Sequence, residues 1–108
     1  MKMIMAVIRP ERLQPVKDAL KDIGINAMTI TDVRGRGQQS GITFTNRVGS
    51  ILIDEIEKTK IEIVVDDEKM DTAIQAIRDA AATGHMGDGR IFVMPVEMSV
   101  RIRDGSSD

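Results

Sequence analysis

Strand-like and helix-like hydrophobic patterns alternate in the first half of this chain of 108 residues. An apolar run at residues 3–9 predicts a strand, which Pro10 closes. Residues from 11 to about 23 predict an amphipathic helix, because apolar side chains recur there at helical spacing: Leu13, Val16, Leu20 and Ile23. Residues 26–34 predict a second strand, and this strand runs into a glycine-rich turn.

The second half of the chain repeats this plan. Residues 60–65 predict a third strand, after which Asp66 or Asp67 is in position to cap a helix. The helix should end near Gly84, and its apolar face consists of Met70, Ala73, Ile74, Ile77 and Ala81. Residues 90–96 predict the fourth strand. The one long irregular stretch is 36–55, and a loop of that length in a compact domain is usually functional or disordered.

Strand–helix–strand, given twice with short connections, predicts an α+β domain of the ferredoxin-like βαββαβ type. It has a four-stranded antiparallel sheet, two helices on one face and a long loop between strands 2 and 3. The other face of the sheet needs a cover, and its aliphatic strands favour an oligomer that packs sheet to sheet. Residues 1–108 should therefore form one domain, with the long loop at 36–55, a glycine-rich loop at 83–90 and a C-terminal tail at 97–108.

Composition and charge exclude several classes of protein. A formal net charge of −2 gives no global attraction to nucleic acid or to an anionic membrane. The absence of cysteine excludes disulfides and thiolate metal sites, and it suits a cytoplasmic protein. The apolar run at the start is too short for a signal peptide or a membrane span. We therefore expect a cytoplasmic domain.

Two glycine-rich segments carry the first candidate chemistry: GRGQQSG at 35–41 and TGHMGDGR at 83–90. Each lies where a strand meets a turn, and successive backbone N–H groups in such turns form anion-binding nests that glycine leaves open to phosphate oxygens. A tight turn without a ligand is the alternative for either segment alone. Neither segment matches a P-loop or a dinucleotide fingerprint, so neither identifies its ligand.

The tail VEMSVRIR at 96–103 alternates between apolar and polar residues. Val96, Met98, Val100 and Ile102 share one face, and the arginines at 101 and 103 share the other. Two neighbouring guanidinium groups suit bidentate contacts with phosphate, although a solvated polar face is the simpler alternative. The two glycine-rich segments and the basic tail together favour a phosphate-bearing ligand.

These segments resemble the PII family of nitrogen signal-transduction proteins. TGHMGDGRIFVMPV looks like the family's C-terminal signature, and four further blocks are similar to it in order and spacing: AVIRPERL, MTITDVRGRGQQSG, KTKIEIVV and VRIR. The resemblance runs from Lys2 to about Gly105. It implies a homotrimeric sensor, not an enzyme, that binds ATP or ADP between subunits and 2-oxoglutarate beside ATP through Mg²⁺. Its long loop, called the T-loop in that family (here 36–55), would change shape with the ligand and dock on partner proteins.

The resemblance also implies roles for individual residues. The nucleotide would be held by Val7, Thr29, Gly35, Arg36, Gly37, Gln38, Glu62, Val64, Gly87, Asp88, Gly89, Arg90, Arg101 and Arg103, with the last two reaching over from a neighbouring subunit. Gln39 would coordinate Mg²⁺, and 2-oxoglutarate would lie among Gln39, Ser40, Gly41 and Lys58. Arg47 would contact the partner protein. An ammonium transporter of the Amt type is the leading partner and nitrogen-metabolism enzymes are the alternatives, so a membrane would be reached only through a channel, and no nucleic acid is implied.

The chain departs from the family pattern inside the T-loop. Gln38 replaces the usual arginine and Ser40 the usual lysine, and the absence of tyrosine excludes nucleotidylation of a loop tyrosine. These departures leave open a divergent trimer that senses a different nucleotide or anion without 2-oxoglutarate. Two other classes have less support. A phosphate-cleaving enzyme would need a nucleophile-positioning set that the chain does not display, and an RNA-binding module would need more stacking aromatics than Phe44 and Phe92.

Overall fold

The computed structural model describes residues 1–36, 42–46, 49–53 and 55–107, and it describes only the backbone of 42–46 and 49–53. A 3₁₀ turn precedes each helix, at Pro10–Arg12 and at Asp67–Lys69. The elements follow one another as β1 (Lys2–Ile8), α1 (Leu13–Asp22), β2 (Thr29–Gly35), β3 (Ile42–Asn46), β4 (Gly49–Ile53), β5 (Ile56–Val65), α2 (Met70–Ala81) and β6 (Gly89–Pro95).

Four of these strands form one antiparallel sheet in the order β2-β5-β1-β6. In the central pair, β1 runs against β5 from Lys2 opposite Val65 to Ile8 opposite Thr59. On the other side of β1, strand β6 pairs so that Ile8 lies opposite Gly89. The end of β1 and the start of β6 therefore meet at one end of the sheet, where β5 also begins and β2 ends. The ferredoxin-like α+β prediction is confirmed.

Both helices cover the same face of the sheet, because alternate residues of the central strands are apolar and point to that side. The opposite face, called the open face here, carries Val64, Phe92 and Met94, which are 48%, 44% and 38% exposed. Neither helix in the described ranges is long and apolar enough to cross a membrane. The buried core comprises Ile4, Ala6, Ile8, Val16, Leu20, Ile25, Ile61, Ile63, Val65, Ala73, Ile77 and Ala81.

The segment at 36–55 differs from its prediction as an irregular loop. It contains the antiparallel pair β3–β4, which runs from Ile42 opposite Ile53 to Asn46 opposite Gly49. Both arms are rich in β-branched residues, which favour strands, but the intervening polar and glycine residues hide the hairpin in the sequence. Strand β5 also begins at residue 56 instead of 60, and β2 begins at residue 29 instead of 26.

The tail folds into a turn, and the start of the second helix differs from its predicted cap. The tail at 97–107 forms no strand, because the Arg101 N–H donates to the Ser106 carbonyl at 2.7 Å and closes a turn. Only an isolated bridge between Val100 and Ser107 has strand geometry there. Asp66 stands at the N-terminal cap of the 3₁₀ turn before α2 without a side-chain capping bond, and Asp67 instead pairs with the N-terminal amine at 3.0 Å.

Gly89 gives the first test of this fold. Its φ is +107°, and a Cβ built on it would lie 1.8 Å from the carbonyl oxygen of Val7 in the neighbouring strand. We expect Gly89→Ala to lower the free energy of unfolding by about 2–4 kcal/mol, since backbone strain alone costs about 1–3 kcal/mol and the added methyl group also meets fixed backbone. Urea denaturation measures the change.

Gly84→Ala is the matched control for this substitution. Gly84 also has a positive φ, of +82°, but a Cβ there would have open space around it. The free energy of unfolding of Gly84→Ala should therefore fall only by the cost of the backbone strain, about 1 kcal/mol. Equal losses for the two variants would show that the contact between Gly89 and Val7 does not constrain the fold.

Candidate functional site

The loop at 83–90, called the B-loop here, joins α2 to β6 and has an unusual backbone. Three of its residues have positive φ angles: +82° at Gly84, +95° at Gly87 and +107° at Gly89. Glycine adopts these conformations without the penalty that a Cβ imposes. The loop can therefore turn tightly beside the end of β1 while keeping its backbone accessible.

Asp88 holds the B-loop in this shape. One of its carboxylate oxygens accepts the N–H groups of Thr83 at 2.8 Å and Gly84 at 2.9 Å. The other accepts the Arg9 Nε–H at 3.0 Å and the Thr83 hydroxyl. The Thr83 hydroxyl, then the Thr83 N–H and Arg9, hold the pKa of Asp88 well below its usual value. Because both oxygens bind inside the chain, Asp88 shapes the loop, and any contact with an anion falls to the groups around it.

Three cationic side chains border the B-loop. Arg9 donates a second hydrogen bond, from Nη2 to the Met86 carbonyl at 2.8 Å, and Lys58 donates from Nζ to the Gly87 carbonyl. Partial burial, and next the Arg9 charge, lower the pKa of Lys58, while Glu11 and Asp88 act against this shift. Arg90 leads out of the loop into β6. Positive charge therefore collects around the glycines of the loop.

The N–H group of Gly87 completes this arrangement. Within the part of the chain that the structure describes, it donates no hydrogen bond, whereas the Asp88 N–H closes the turn at residues 86–87. A backbone N–H at a positive-φ glycine is accessible to an anion. Together with the cations, it makes the B-loop suitable for a phosphate group.

Arg9 is the residue that the sequence analysis missed. It lies 79 positions from Asp88, and no sequence motif connects the two residues. Their contact follows from the sheet register, which sets Ile8 opposite Gly89 and therefore brings the residue after β1 to the B-loop. The predicted fold class did not state which strands pair, and only the register identifies this neighbour.

The structure brings together part of the predicted nucleotide set. Val7 lies directly opposite Arg90 on the open face, next to the B-loop. Lys58, which was predicted to bind 2-oxoglutarate, contacts the same loop. Gly35 and Arg36 lie at the end of β2, on the same end of the sheet. A Cβ on Gly35 would meet nothing within 4 Å, so packing inside the chain does not require glycine there.

Other predicted residues lie apart from the B-loop within one chain. Thr29 and Glu62 are opposite each other on β2 and β5, and Val64 lies opposite Met3. Met3 and Val7 are four positions apart on β1, a distance of about 14 Å along a strand. In the exposed tail, Arg103 pairs with Asp104 at 3.7 Å, and Arg101 belongs to the turn. Six predicted residues lie outside the described residues: Gly37, Gln38, Gln39, Ser40, Gly41 and Arg47.

Two cavities border this region. One, of about 410 Å³, lies between α2 and β6 and touches Asp88, Gly89 and Arg90. The other, of about 380 Å³, is lined mostly by charged residues where β2 ends and β5 begins: Asp32, Arg34, Glu57 and Lys58. Among the described residues, no group of three or more His, Cys, Asp or Glu side chains is placed to hold a metal ion. The open Gly87 N–H and the cations around it, and not these cavities, define the candidate anion site.

Asp88→Asn tests the interior role of this carboxylate. The substitution keeps the size of the side chain but replaces an acceptor by a donor, so we expect unfolding at a lower urea concentration at pH 7. Because the pKa of Asp88 is depressed in the folded chain, its contribution to stability is complete above the usual aspartate value of about 3.9 and is lost as the pH falls further. The difference in the free energy of unfolding between wild type and variant should stay constant from about pH 8 to 5 and shrink towards pH 2.

Asp22→Asn controls for the loss of one exposed carboxylate, since Asp22 lies at the end of α1, away from the B-loop. Urea denaturation of all three proteins across this pH range provides the comparison. A gap between wild type and Asp88→Asn that does not change down to pH 2 would contradict the hydrogen-bonded carboxylate at the centre of the loop.

Comparison with known proteins places this chain in a family. The family model described as Nitrogen regulatory protein P-II matches residues 1–106. The Nitrogen regulatory protein P-II 2 of Methanothermobacter thermautotrophicus is 53% identical over 107 residues, which are 99% of this chain and 93% of the relative. The Nitrogen regulatory proteins P-II of Pasteurella multocida and Haemophilus influenzae are 47% and 48% identical over 108 residues, which are 100% of this chain and 96% of each relative. The chain belongs to the P-II family of nitrogen regulatory proteins.

Proposed function

We propose that this protein signals nitrogen and energy status by binding ATP or ADP at the B-loop, and 2-oxoglutarate together with MgATP. The observation that carries the proposal is the convergence of the open Gly87 N–H group with three cationic side chains on one glycine-rich turn. A chain whose formal net charge is −2 concentrates positive charge at this place. Family membership supports the regulatory role.

A nucleotide polyphosphate suits this site because of its charge and its shape. Its negative charge would be offset by Arg90 and by the cations on the other side of the turn, Arg9 and Lys58. Its oxygens need close access to backbone donors, which Gly87 and Gly89 leave unobstructed. The base and ribose would then extend along the open face from Val7.

The working unit in this proposal is a homotrimer. Its support is the open face, where Val64, Phe92 and Met94 expose apolar side chains that the chain itself does not cover. Thr29, Glu62, Val64, Arg101 and Arg103 lie away from the B-loop of their own chain, and they would approach a nucleotide across a subunit boundary. Such a shared site makes nucleotide binding and assembly mutually dependent.

2-Oxoglutarate would bind at the base of the T-loop. Lys58 supplies the cation for one carboxylate, and Gln39, Ser40 and Gly41 would complete the site. Mg²⁺ held by ATP and Gln39 would supply the positive charge that the keto acid needs. Because the metal arrives with ATP, binding of either ligand favours binding of the other.

Signal output would pass through the T-loop at 36–55. Its ends follow β2 and precede β5, and the latter strand carries Lys58 close to the B-loop. Ligands at this end of the sheet can therefore select among the shapes of the loop. Its partner would be an Amt-type ammonium transporter or a nitrogen-metabolism enzyme, with Arg47 as a contact residue.

Arg90→Ala tests the phosphate site. We expect the affinity for ATP and for ADP to fall by about 1.5–3 kcal/mol, the usual range for one charged hydrogen bond. Isothermal titration calorimetry measures this loss. Lys17→Ala removes one cation from α1, on the other side of the sheet, and should bind like wild type. Equal ATP affinity in Arg90→Ala and wild type would contradict the assignment of this arginine.

Lys58→Ala separates the two ligands. In wild type, calorimetry should detect 2-oxoglutarate only when MgATP is present. The variant should lose 2-oxoglutarate and retain ATP, because other groups of the B-loop still hold the phosphates. Lys21→Ala, at the end of α1, serves as the charge control. Binding of 2-oxoglutarate to wild type without nucleotide would contradict the metal-bridged arrangement.

A further inference from the structure

Helix α2 covers only part of the sheet. It packs on α1 and on β1. Ile4 of β1 and Val93 of β6 lie directly opposite each other, so their side chains share the helix side of the sheet. Ile4 is 1% exposed, whereas Val93 is 39% exposed. The cover that α2 provides therefore ends at β1 and leaves the inner side of β6 open.

The resulting gap is the cavity of about 410 Å³ between α2 and β6, called the α2–β6 cavity here. Six apolar residues form most of its lining: Ile8, Ile74, Ile77, Ala81, Ile91 and Val93. Ile8, Ile77 and Ala81 are buried core residues, so the cavity has a dry apolar floor. Small-molecule sites in proteins are lined mainly by such side chains and have volumes of about 300–1,000 Å³. The α2–β6 cavity falls within this range.

Two arginines also line this cavity, Arg78 of α2 and Arg90 of β6. In the part of the chain that the structure describes, neither side chain donates a hydrogen bond or forms an ion pair. Asp88 reaches the cavity too, but its carboxylate already accepts four hydrogen bonds within the chain. An unpaired guanidinium group beside an apolar wall suits a ligand that joins an anionic head to a hydrocarbon chain.

Arg78 is the arginine placed to receive the anionic head. It lies one helical turn after Ile74 and one turn before Ala82, and these three residues form the α2 rim of the cavity. Arg90 shares the open face with Val7 and belongs to the proposed phosphate site. The head group is therefore assigned to Arg78 alone.

The length of the cavity limits the hydrocarbon chain. From Ile74 to Ala81 the helix rises about 10 Å. On the opposite wall, β6 spans about 10 Å from Arg90 to Val93. An extended hydrocarbon chain with bonds of about 1.5 Å and tetrahedral angles advances about 1.3 Å per bond, so about eight carbons fill this length.

We infer that the α2–β6 cavity binds an unbranched aliphatic carboxylate of about eight carbons, with its carboxylate on Arg78 and its chain along Ile77, Ile91 and Val93. The free acid is the form that fits, because an ester of the same chain has no charge to pair with the guanidinium group. The site lies on the helix side of the sheet, behind the B-loop. Its ligand needs no nucleotide, so this binding does not depend on the proposed function.

Methyl NMR tests the site, with sodium octanoate as the probe. Protein labelled at its isoleucine δ1-methyl groups is titrated with octanoate and, separately, with methyl octanoate as the uncharged form. We expect octanoate to shift the signals of Ile74, Ile77 and Ile91 and to leave Ile25, a core residue outside the cavity lining, unchanged. Methyl octanoate should bind at least tenfold more weakly. Unshifted cavity methyl groups would overturn the inference, since the cavity would then be closed to the acid or filled by another copy of the chain.

Substitutions at the two ends of the ligand give an independent readout. Arg78→Gln should fold normally by circular dichroism, since Arg78 is exposed, but its affinity for octanoate should fall at least tenfold, as for the loss of one charged hydrogen bond. Lys17→Gln, which removes a cation from α1, should bind like wild type. Val93→Trp fills the cavity and should abolish the shifts at Ile74 and Ile91. Wild-type octanoate affinity in Arg78→Gln, or unchanged shifts in Val93→Trp, would overturn the inferred site.

Discussion

The antiparallel register of β1 and β6 is the constraint on which the rest of the site depends. It sets Ile8 opposite Gly89, so close that a methyl group on Gly89 would overlap the Val7 carbonyl oxygen. The same register carries Arg9, the residue after β1, to Asp88. The fold therefore does more than support the B-loop. One strand pairing fixes the start of β6, the turn before it and the cation beside it.

Electrostatic compensation inside the loop explains how cations can gather there in an acidic chain. Asp88 accepts four hydrogen bonds, one of them from Arg9, and so stabilises a turn in which the Gly87 N–H is left open. The proposed anion site is thus organised around an anionic side chain whose charge is balanced by its own hydrogen bonds.

The sequence predicted the elements better than it predicted their contacts. The helical spacing of Val16 with Leu20, and of Ala73 with Ile77, identified both helices because each side chain packs on the sheet. Gly87 and Gly89 were predicted as a close-approach turn, and both have positive φ. Arg9 was missed because its partner is distant in the chain. The β3–β4 hairpin was missed because the local composition of 36–55 resembles that of a loop.

The contact between Lys58 and the Gly87 carbonyl has an energetic consequence. In the single chain this ammonium group already has an acceptor, and partial burial lowers its pKa. A carboxylate bound at Lys58 would have to displace that carbonyl, so its net binding free energy would be the difference between the two interactions. The Gly87 carbonyl would thus compete with any ligand carboxylate for Lys58, and a change in the shape of the B-loop would change the affinity at the base of the T-loop.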